Sequence, residues 1–290
     1  MKTIDNRRSS AGLTYFDRVL DRRRAQDPLA LAAFARHVHF GFWEDPARAD
    51  GSIADFVRAA DALTQRILDA GAIRPGHRVL DVGCGIGGTL AMINDQFSQV
   101  ELLGLNIDPL QIEQARHIAC ARPGNLVEFS VGDAMRLPYA DESCDTVLAV
   151  ECSFHFPSRL RFLREAQRVL RPGGRLALSD FVTAWPMRAA LWMLGGAVER
   201  AIAPSFGPFD LSYTLDVYLR TARNVGLTPV VVDDVTGGLL PTFPVWRELI
   251  RHLLPDHTGM AELFTVFGWL HRLRLMRYMV LAFEKASARS

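Results

Sequence analysis

The apolar run Val79-Leu80-Asp81-Val82 breaks into the glycine cluster Gly83-Cys84-Gly85-Ile86-Gly87-Gly88 and reopens at once as Thr89-Leu90-Ala91-Met92-Ile93-Asn94. The first part suits a buried strand and the last a helix. A chain that turns from strand to helix through glycines brings bare backbone up to a ligand where side chains would collide. Asp81 sharpens the question, because a carboxylate at the end of an apolar strand is costly to bury without a partner. The letters Gly83-x-Gly85-x-x-Gly88 fit the dinucleotide fingerprint. Alone they are a weak signal: many doubly wound proteins bring a glycine-rich first turn to a ligand, and a tight turn with no ligand uses the same residues.

The surrounding pattern is that of an α/β protein. From Arg78 to about Asp180, short strand and helix signals alternate. Strands are expected at 78–83, 101–107, 126–131, 144–150 and 174–180, and helices at 87–97, 109–121 and 159–170, with Arg171-Pro172-Gly173-Gly174 as a stop signal. Apolar strands alternating with helices predict a parallel sheet covered on both faces. Upstream, 1–12 is polar and expected to fray, and 13–70 has helical spacing broken by the aromatic turn Phe40-Gly41-Phe42-Trp43-Glu44-Asp45-Pro46. Downstream, glycines and prolines among aromatics at 183–213 read as an insertion. A helix (214–225), a strand (228–236), an aromatic helical stretch (242–274) and a last strand (277–284) follow.

Composition narrows the class. The 290 residues can bury a sizeable core. Lys plus Arg number 33 against 32 Asp plus Glu, so charge gives no reason to expect nucleic acid. Cys84, Cys120, Cys144 and Cys152 form no C-x-x-C pair, and no signal peptide is apparent. The expectation is a cytoplasmic protein with reduced thiols and no metal centre. The apolar stretch Ala189 to Val198 is too short to cross a bilayer, for which about 20 residues are needed.

Further signals follow the glycine loop in order: Gly104-Leu105-Asn106-Ile107-Asp108 with Gln111 after it, Val131-Gly132-Asp133-Ala134 running into Leu137-Pro138-Tyr139, Cys144 to Glu151, and Val169 to Arg175. On these motifs the chain resembles the class I S-adenosylmethionine-dependent methyltransferases. Within them it is similar to the branch acting on small molecules such as sterols, tocopherols and natural products. The likeness is good over 35–180 and loose beyond. It implies a doubly wound, mostly parallel seven-stranded sheet with N-terminal helices and an inserted cap. The expected division is an N-terminal helical lid segment (1–70), a cofactor-binding core (71–182), the cap (183–213), and the C-terminal half of the sheet with acceptor-pocket helices (214–290).

The resemblance also assigns roles. S-adenosylmethionine is the implied cofactor, with Gly83, Cys84 and Gly85 in the loop that wraps its amino-acid end and ribose, and Asp81 helping to hold the ammonium. Asn106 stands where many relatives carry an acid that grips the ribose hydroxyls, so a neutral hydrogen bond helped by Gln111 is expected. Asp133 is expected to accept from the adenine amino group and the Ala134 N–H to meet a ring nitrogen, with Leu105, Ile107 and Met135 as apolar walls. For Asp133 and Asn106, polar capping of strand ends is the plain alternative. The segment His39 to Trp43 resembles one that folds over the cofactor's methionine end.

The chemistry centres on Glu151-Cys152-Ser153-Phe154-His155-Phe156-Pro157, whose Glu and His four apart resemble a pattern of the small-molecule branch. A hydroxyl acceptor must lose a proton, and a neutral imidazole suits that role. His155 is the candidate base, with Glu151 lining the cofactor side, orienting the acceptor or stabilising positive charge. Alternatively, His155 only packs between Phe154 and Phe156. The aromatics and methionines of 183–213 and 240–270 are mostly expected as core, yet in this branch those segments build the acceptor pocket. The expected reaction is methyl transfer to oxygen of an apolar small molecule, a secondary metabolite. Arg188, Arg200, Arg247 and Arg251 leave room for an anionic group on it. Methylation of carbon or nitrogen is the nearest rival. A nicotinamide dehydrogenase is a further one, though it leaves Asp133-Ala134 and Glu151-x-x-x-His155 unexplained, and a silent cofactor-binding scaffold is the last. Oligomeric state is left open.

Overall fold

A computed structural model describes residues 14–287 except 195, 256 and 257. The polar leader at 1–12 lies outside the described residues. The chain runs α1 (Thr14–Arg24), α2 (Pro28–Ala33), α3 (Ile53–Gly71), β1 (Arg78–Val82), α4 (Gly88–Gln96), β2 (Glu101–Asn106), α5 (Pro109–Ile118), β3 (Leu126–Val131), β4 (Cys144–Val150), α6 (Arg159–Val169) and β5 (Leu170–Thr183). It continues through α7 (Trp185–Met193), α8 (Ala197–Phe206), α9 (Leu215–Asn224), β6 (Leu227–Asp234), α10 (Thr236–Leu239), α11 (Thr242–Leu253), α12 (Thr258–Arg272) and β7 (Met276–Lys285).

The seven strands form one sheet in the order β3-β2-β1-β4-β5-β7-β6. Strands β1 to β5 are parallel, and β7 runs antiparallel between β5 and β6. From β1 the chain winds one way through β2 and β3, then returns to the other side of β1 with β4 and β5. That reversal opens a crevice at the carboxyl ends of β1 and β4, the usual ligand position in such sheets.

The apolar strands explain why both faces are covered. Successive residues point to opposite sides, and the core divides accordingly. Val79, Leu102, Leu148 and Val280 join the cluster under α3 and α11, whereas Leu80, Leu103, Val147 and Leu281 join the one under α6 and α9. Helix starts carry their expected caps: Ser52 accepts from the Asp55 N–H, Ser158 from the Arg161 N–H, and Asp108 from the Leu110 N–H ahead of Pro109.

Three expectations need correction. The helix before Arg171–Gly174 does stop, at Val169, but β5 begins at Leu170 and not at 174, because Leu170 already pairs with Cys144 and the register then shifts so that Arg175 faces Thr146. The break expected at 40–46 extends over the whole segment between α2 and α3. The helical stretch 242–274 is two helices packed on each other, and 183–213 contains the short helices α7 and α8.

Candidate active site

A cavity of about 340 Å³ opens at the carboxyl ends of β1, β2 and β4. Asp81, Gly83, Cys84, Gly85, Asn106, Ile107, Gln111, Asp133, Ala134, Glu151 and His155, each singled out in the sequence, all line it. Leu105 does too, but Met135 is buried in the core under α6 instead. The four arginines kept for an anionic acceptor do not line it.

Asp81 is the most conspicuous group. Its side chain is 1% exposed, and neither carboxylate oxygen has a hydrogen-bond partner among the described residues. Burial alone pushes its pKa up to about 7. An acid held this way on a cavity wall lacks a cation, and the ammonium of an amino-acid ligand fits that need.

The polar groups at the ends of β2 and β3 are already engaged. Asn106 Nδ2 donates to Gln111 Oε1 at 2.8 Å, and Asn106 Oδ1 accepts from the Asp108 N–H. Asp133 Oδ1 accepts from the Met135 N–H at 2.8 Å. Both side chains therefore cap their strand ends and face the cavity at once, so the capping alternative holds alongside lining.

The chain between α2 and α3 straps one wall of the cavity through Arg36, His37, Val38 and His39. His37 and His39 line it and are anchored on α3, His37 Nε2 lying 3.1 Å from Asp61 Oδ1 and His39 Nε2 2.9 Å from Thr64 Oγ1. Burial pushes the His39 pKa down to about 3, so the ring is neutral. This strap runs so close to the start of α4 that a Cβ at Gly88 would come within 2.0 Å of the Arg36 carbonyl oxygen. The last glycine of the fingerprint thus makes room for the protein's own backbone. Gly83 is required by the loop after β4: its φ is +75°, and a Cβ there would meet the Cys152 Cβ at 2.7 Å.

Glu151 and His155 follow β4 on that loop. Glu151 adopts a φ of +48°, a left-handed backbone costing about 1–2 kcal/mol for a non-glycine residue. Three contacts hold it there. Its N–H donates to Ser179 Oγ at 3.1 Å, and its Oε1 accepts from the Tyr278 O–H at 2.6 Å and the Phe40 N–H at 3.0 Å. Burial outweighs these donors and pushes its pKa up to about 7.

His155 Nδ1 lies 2.7 Å from the Pro208 carbonyl oxygen. A carbonyl only accepts, so Nδ1 carries the proton and Nε2 a free lone pair. Nε2 is buried without a partner among the described residues. Burial pushes the pKa of the ring down to about 4, partly offset by the Pro208 carbonyl. Glu151 and His155 also border a second, smaller recess of about 40 Å³, walled by Phe40, Phe154, Phe181, Phe209, Trp246 and Phe264 among others. The aromatic segments thus supply both core and an apolar recess beyond the two polar groups. Trp185, Trp192 and Trp269 belong to neither, being exposed.

A buried ionic network positions this loop, and nothing in the sequence reading anticipated it. The Arg159 guanidinium, fully buried, meets Asp180 at 2.8 Å and 3.1 Å and Asp210 at 2.6 Å, and lies 4.7 Å over the Tyr213 ring. Ser153 Oγ donates to Asp180, and the Asp210 N–H to the Phe154 carbonyl. The network therefore ties the His155 loop to β5 and to the segment between α8 and α9 that presents the Pro208 carbonyl. The signal was available: Asp180 is an acid at the end of the apolar strand expected at 174–180, much as Asp81 is in its own strand. Arg159→Met leaves Asp180 buried and unpaired, and should destabilise the protein by about 3–5 kcal/mol in a urea titration.

The sheet order, glycine loop and orphan acid fit the Rossmann-like fold of the methyltransferases. A family model described as a methyltransferase domain matches residues 80–178. Methyltransferase GfsG of Streptomyces halstedii is 33% identical over 260 residues, covering 89% of this chain and 90% of that protein. The 27-O-demethylrifamycin SV methyltransferase of Amycolatopsis mediterranei is 36% identical over 242 residues, covering 81% and 84%. Geranyl diphosphate C-methyltransferase of Streptomyces coelicolor, solved with S-adenosyl-L-homocysteine, shares the fold with a TM-score of 0.70 at 19% identity, over 94% of this chain and 98% of that one. The chain belongs to the class I S-adenosylmethionine-dependent methyltransferases. Its cofactor is S-adenosylmethionine, which when bound supplies an electrophilic methyl group on a sulfonium.

Proposed function

We propose that the protein methylates a hydroxyl oxygen of an apolar small molecule, a secondary metabolite, with His155 as the base. The observation that carries this reading is the state of His155: Nδ1 is tied to a backbone carbonyl and Nε2 is bare, where the larger cavity meets the aromatic recess. The apolar walls of the recess favour a hydrophobic acceptor body. The natural-product relatives support the substrate class.

In this account Asp81 pairs with the cofactor's ammonium, and Gly83, Cys84 and Gly85 follow its amino-acid end and ribose. Asn106 and Gln111 meet the ribose, while Asp133, Ala134 and Ile107 surround the adenine. Glu151 orients the acceptor, and His155 Nε2 takes its proton. Positioning the reactants supplies much of the rate, up to roughly 7–11 kcal/mol in favourable cases.

Glu151 supports a second reading. Its carboxyl group lines both cavities and has a pKa near neutrality, so it suits methylation of carbon, where a cation needs stabilising or a proton must leave. Four free cysteines support a reducing, cytosolic setting, and the balanced charge supports a small-molecule partner over nucleic acid.

Incubation with methyl-labelled S-adenosylmethionine and a host metabolite extract tests the acceptor class by mass spectrometry. The expected product is a hydroxylated apolar compound gaining one labelled methyl group. Labelling confined to compounds without a hydroxyl would move the reading to carbon or nitrogen.

A further inference from the structure

We propose that the exposed faces of α7 and α12 dock on an anionic lipid surface. Trp185 and Trp192 are seven residues apart on one face of α7, 75% and 83% exposed, with exposed Arg188 between them. Met193 and Leu194 extend the same end. On α12 and just past it, Val266, Trp269 and Leu273 make a second exposed apolar stripe, with the Arg272 guanidinium 5.4 Å over the Trp269 ring.

The start of α7 and the chain just past α12 meet at one end of the sheet. Thr183, which ends β5, pairs with Met276, which begins β7, and the Ala184 N–H donates to the Leu275 carbonyl at 2.8 Å. The inner face of α12 carries Phe264 and Phe267 into the aromatic recess. The exposed face is therefore the back of the wall that encloses the apolar pocket.

Charge selects the occupant. Residues 184–198 and 263–275 contain no Asp or Glu, and of their three arginines Arg274 already pairs with Asp234 at 2.9 Å, so Arg188 and Arg272 carry the charge of this face. Two copies docked through this face would set arginine against arginine with no acid in either segment to pair with them. Anionic headgroups neutralise the same arginines while the tryptophans settle at the headgroup level, the composition of an interfacial helix. A mostly apolar surface groove of about 220 Å³ beside Trp269 adds a place for a lipid chain with arginines at its edge. Arg247, Thr265 and Arg272 line it, and Arg247 Nε and Thr265 Oγ1 have no hydrogen-bond partner among the described residues, though Arg247 Nε lies 3.4 Å from Glu248 Oε1. Docking here turns the acceptor wall toward a phase that holds apolar molecules. It does not depend on which atom is methylated.

Flotation with phosphatidylcholine vesicles, with and without phosphatidylglycerol, tests the proposal. The wild type should float with phosphatidylglycerol vesicles and less so at high salt. Brominated acyl chains should quench its tryptophan fluorescence, since Trp43 and Trp246 are buried and the exposed three lie on this face. Trp185→Ser with Trp192→Ser should lower the bound fraction roughly tenfold, with circular dichroism and S-adenosylmethionine affinity unchanged. Failure of the wild type to float, or binding indifferent to the double substitution, overturns the proposal. A wild-type dimer that the substitutions dissociate, with no flotation by either form, assigns the face to a second copy instead.

Discussion

His155→Ala is expected to lower turnover by about 10²–10⁴-fold at saturating cofactor and acceptor, the usual span for a lost general base. Cofactor affinity should stay near wild type, because in the proposed arrangement the imidazole serves the acceptor and not the cofactor. The reason lies in its surroundings. The Pro208 carbonyl fixes the proton on Nδ1, and burial holds the ring unprotonated far below neutrality, with a pKa of about 4. Turnover of the wild type should therefore be flat from pH 6 to 8 and fall only as His155 is protonated, in the region of pH 4. Glu151, at about 7, gives a different profile: with it as the base, turnover already falls as pH drops through neutrality. A pH–rate profile with saturating substrates separates the two residues, and turnover unchanged in His155→Ala would remove the base role.

Asp81→Asn should act in opposite directions on binding and stability. Removing one partner of a buried ion pair costs about 3–5 kcal/mol, so S-adenosylmethionine affinity should drop by at least about a hundredfold in a calorimetric titration. The cofactor-free protein should become more stable. Burial raises the Asp81 pKa in the folded state above its unfolded value, to about 7. Its favourable contribution is thus present below the unfolded value, 3.8, and is lost as pH rises through the folded one. At pH 8 the unpaired carboxylate destabilises the fold by roughly 2–4 kcal/mol, and the amide removes the charge but leaves polar atoms to satisfy, which costs about 1–3 kcal/mol. A net gain of about 1 kcal/mol at pH 8, vanishing near pH 5, is the expected result of urea titrations without cofactor. A loss of stability at pH 8 with cofactor affinity unchanged would show that Asp81 has another partner. In the wild type, cofactor affinity should rise with pH up to about 7 and then level off, as the carboxylate form becomes available without proton release.

The site was legible in the sequence where chemistry and backbone geometry coincide. Asp81 and Asn106 lie at the carboxyl ends of parallel strands, the glycines, Asp133 and Glu151 just after them, and parallel strands of one sheet end on one side. Their residue numbers therefore carried their position. What escaped depends on contacts between distant segments. Arg159 reads as a surface residue at a helix start until β5 brings Asp180 beside it. Tyr278 holds Glu151 from an antiparallel strand 127 residues away. Gly88 lines the cavity, but its lack of a side chain also makes room for the Arg36 carbonyl, which the sequence did not show. The strap between α2 and α3 has no periodicity of its own, and its course is set by His37 and His39 reaching α3. Trp185, Trp192 and Trp269, grouped with the apolar inventory, face outward because α7 and α12 bury only their opposite sides.

The most direct test of the account is the position of the transferred methyl group. A purified product formed from methyl-¹³C-labelled S-adenosylmethionine, read by NMR, should carry the label on oxygen, and His155→Ala should form that same product far more slowly. Label on carbon or nitrogen, or an oxygen-methylated product formed at the wild-type rate without His155, would contradict it.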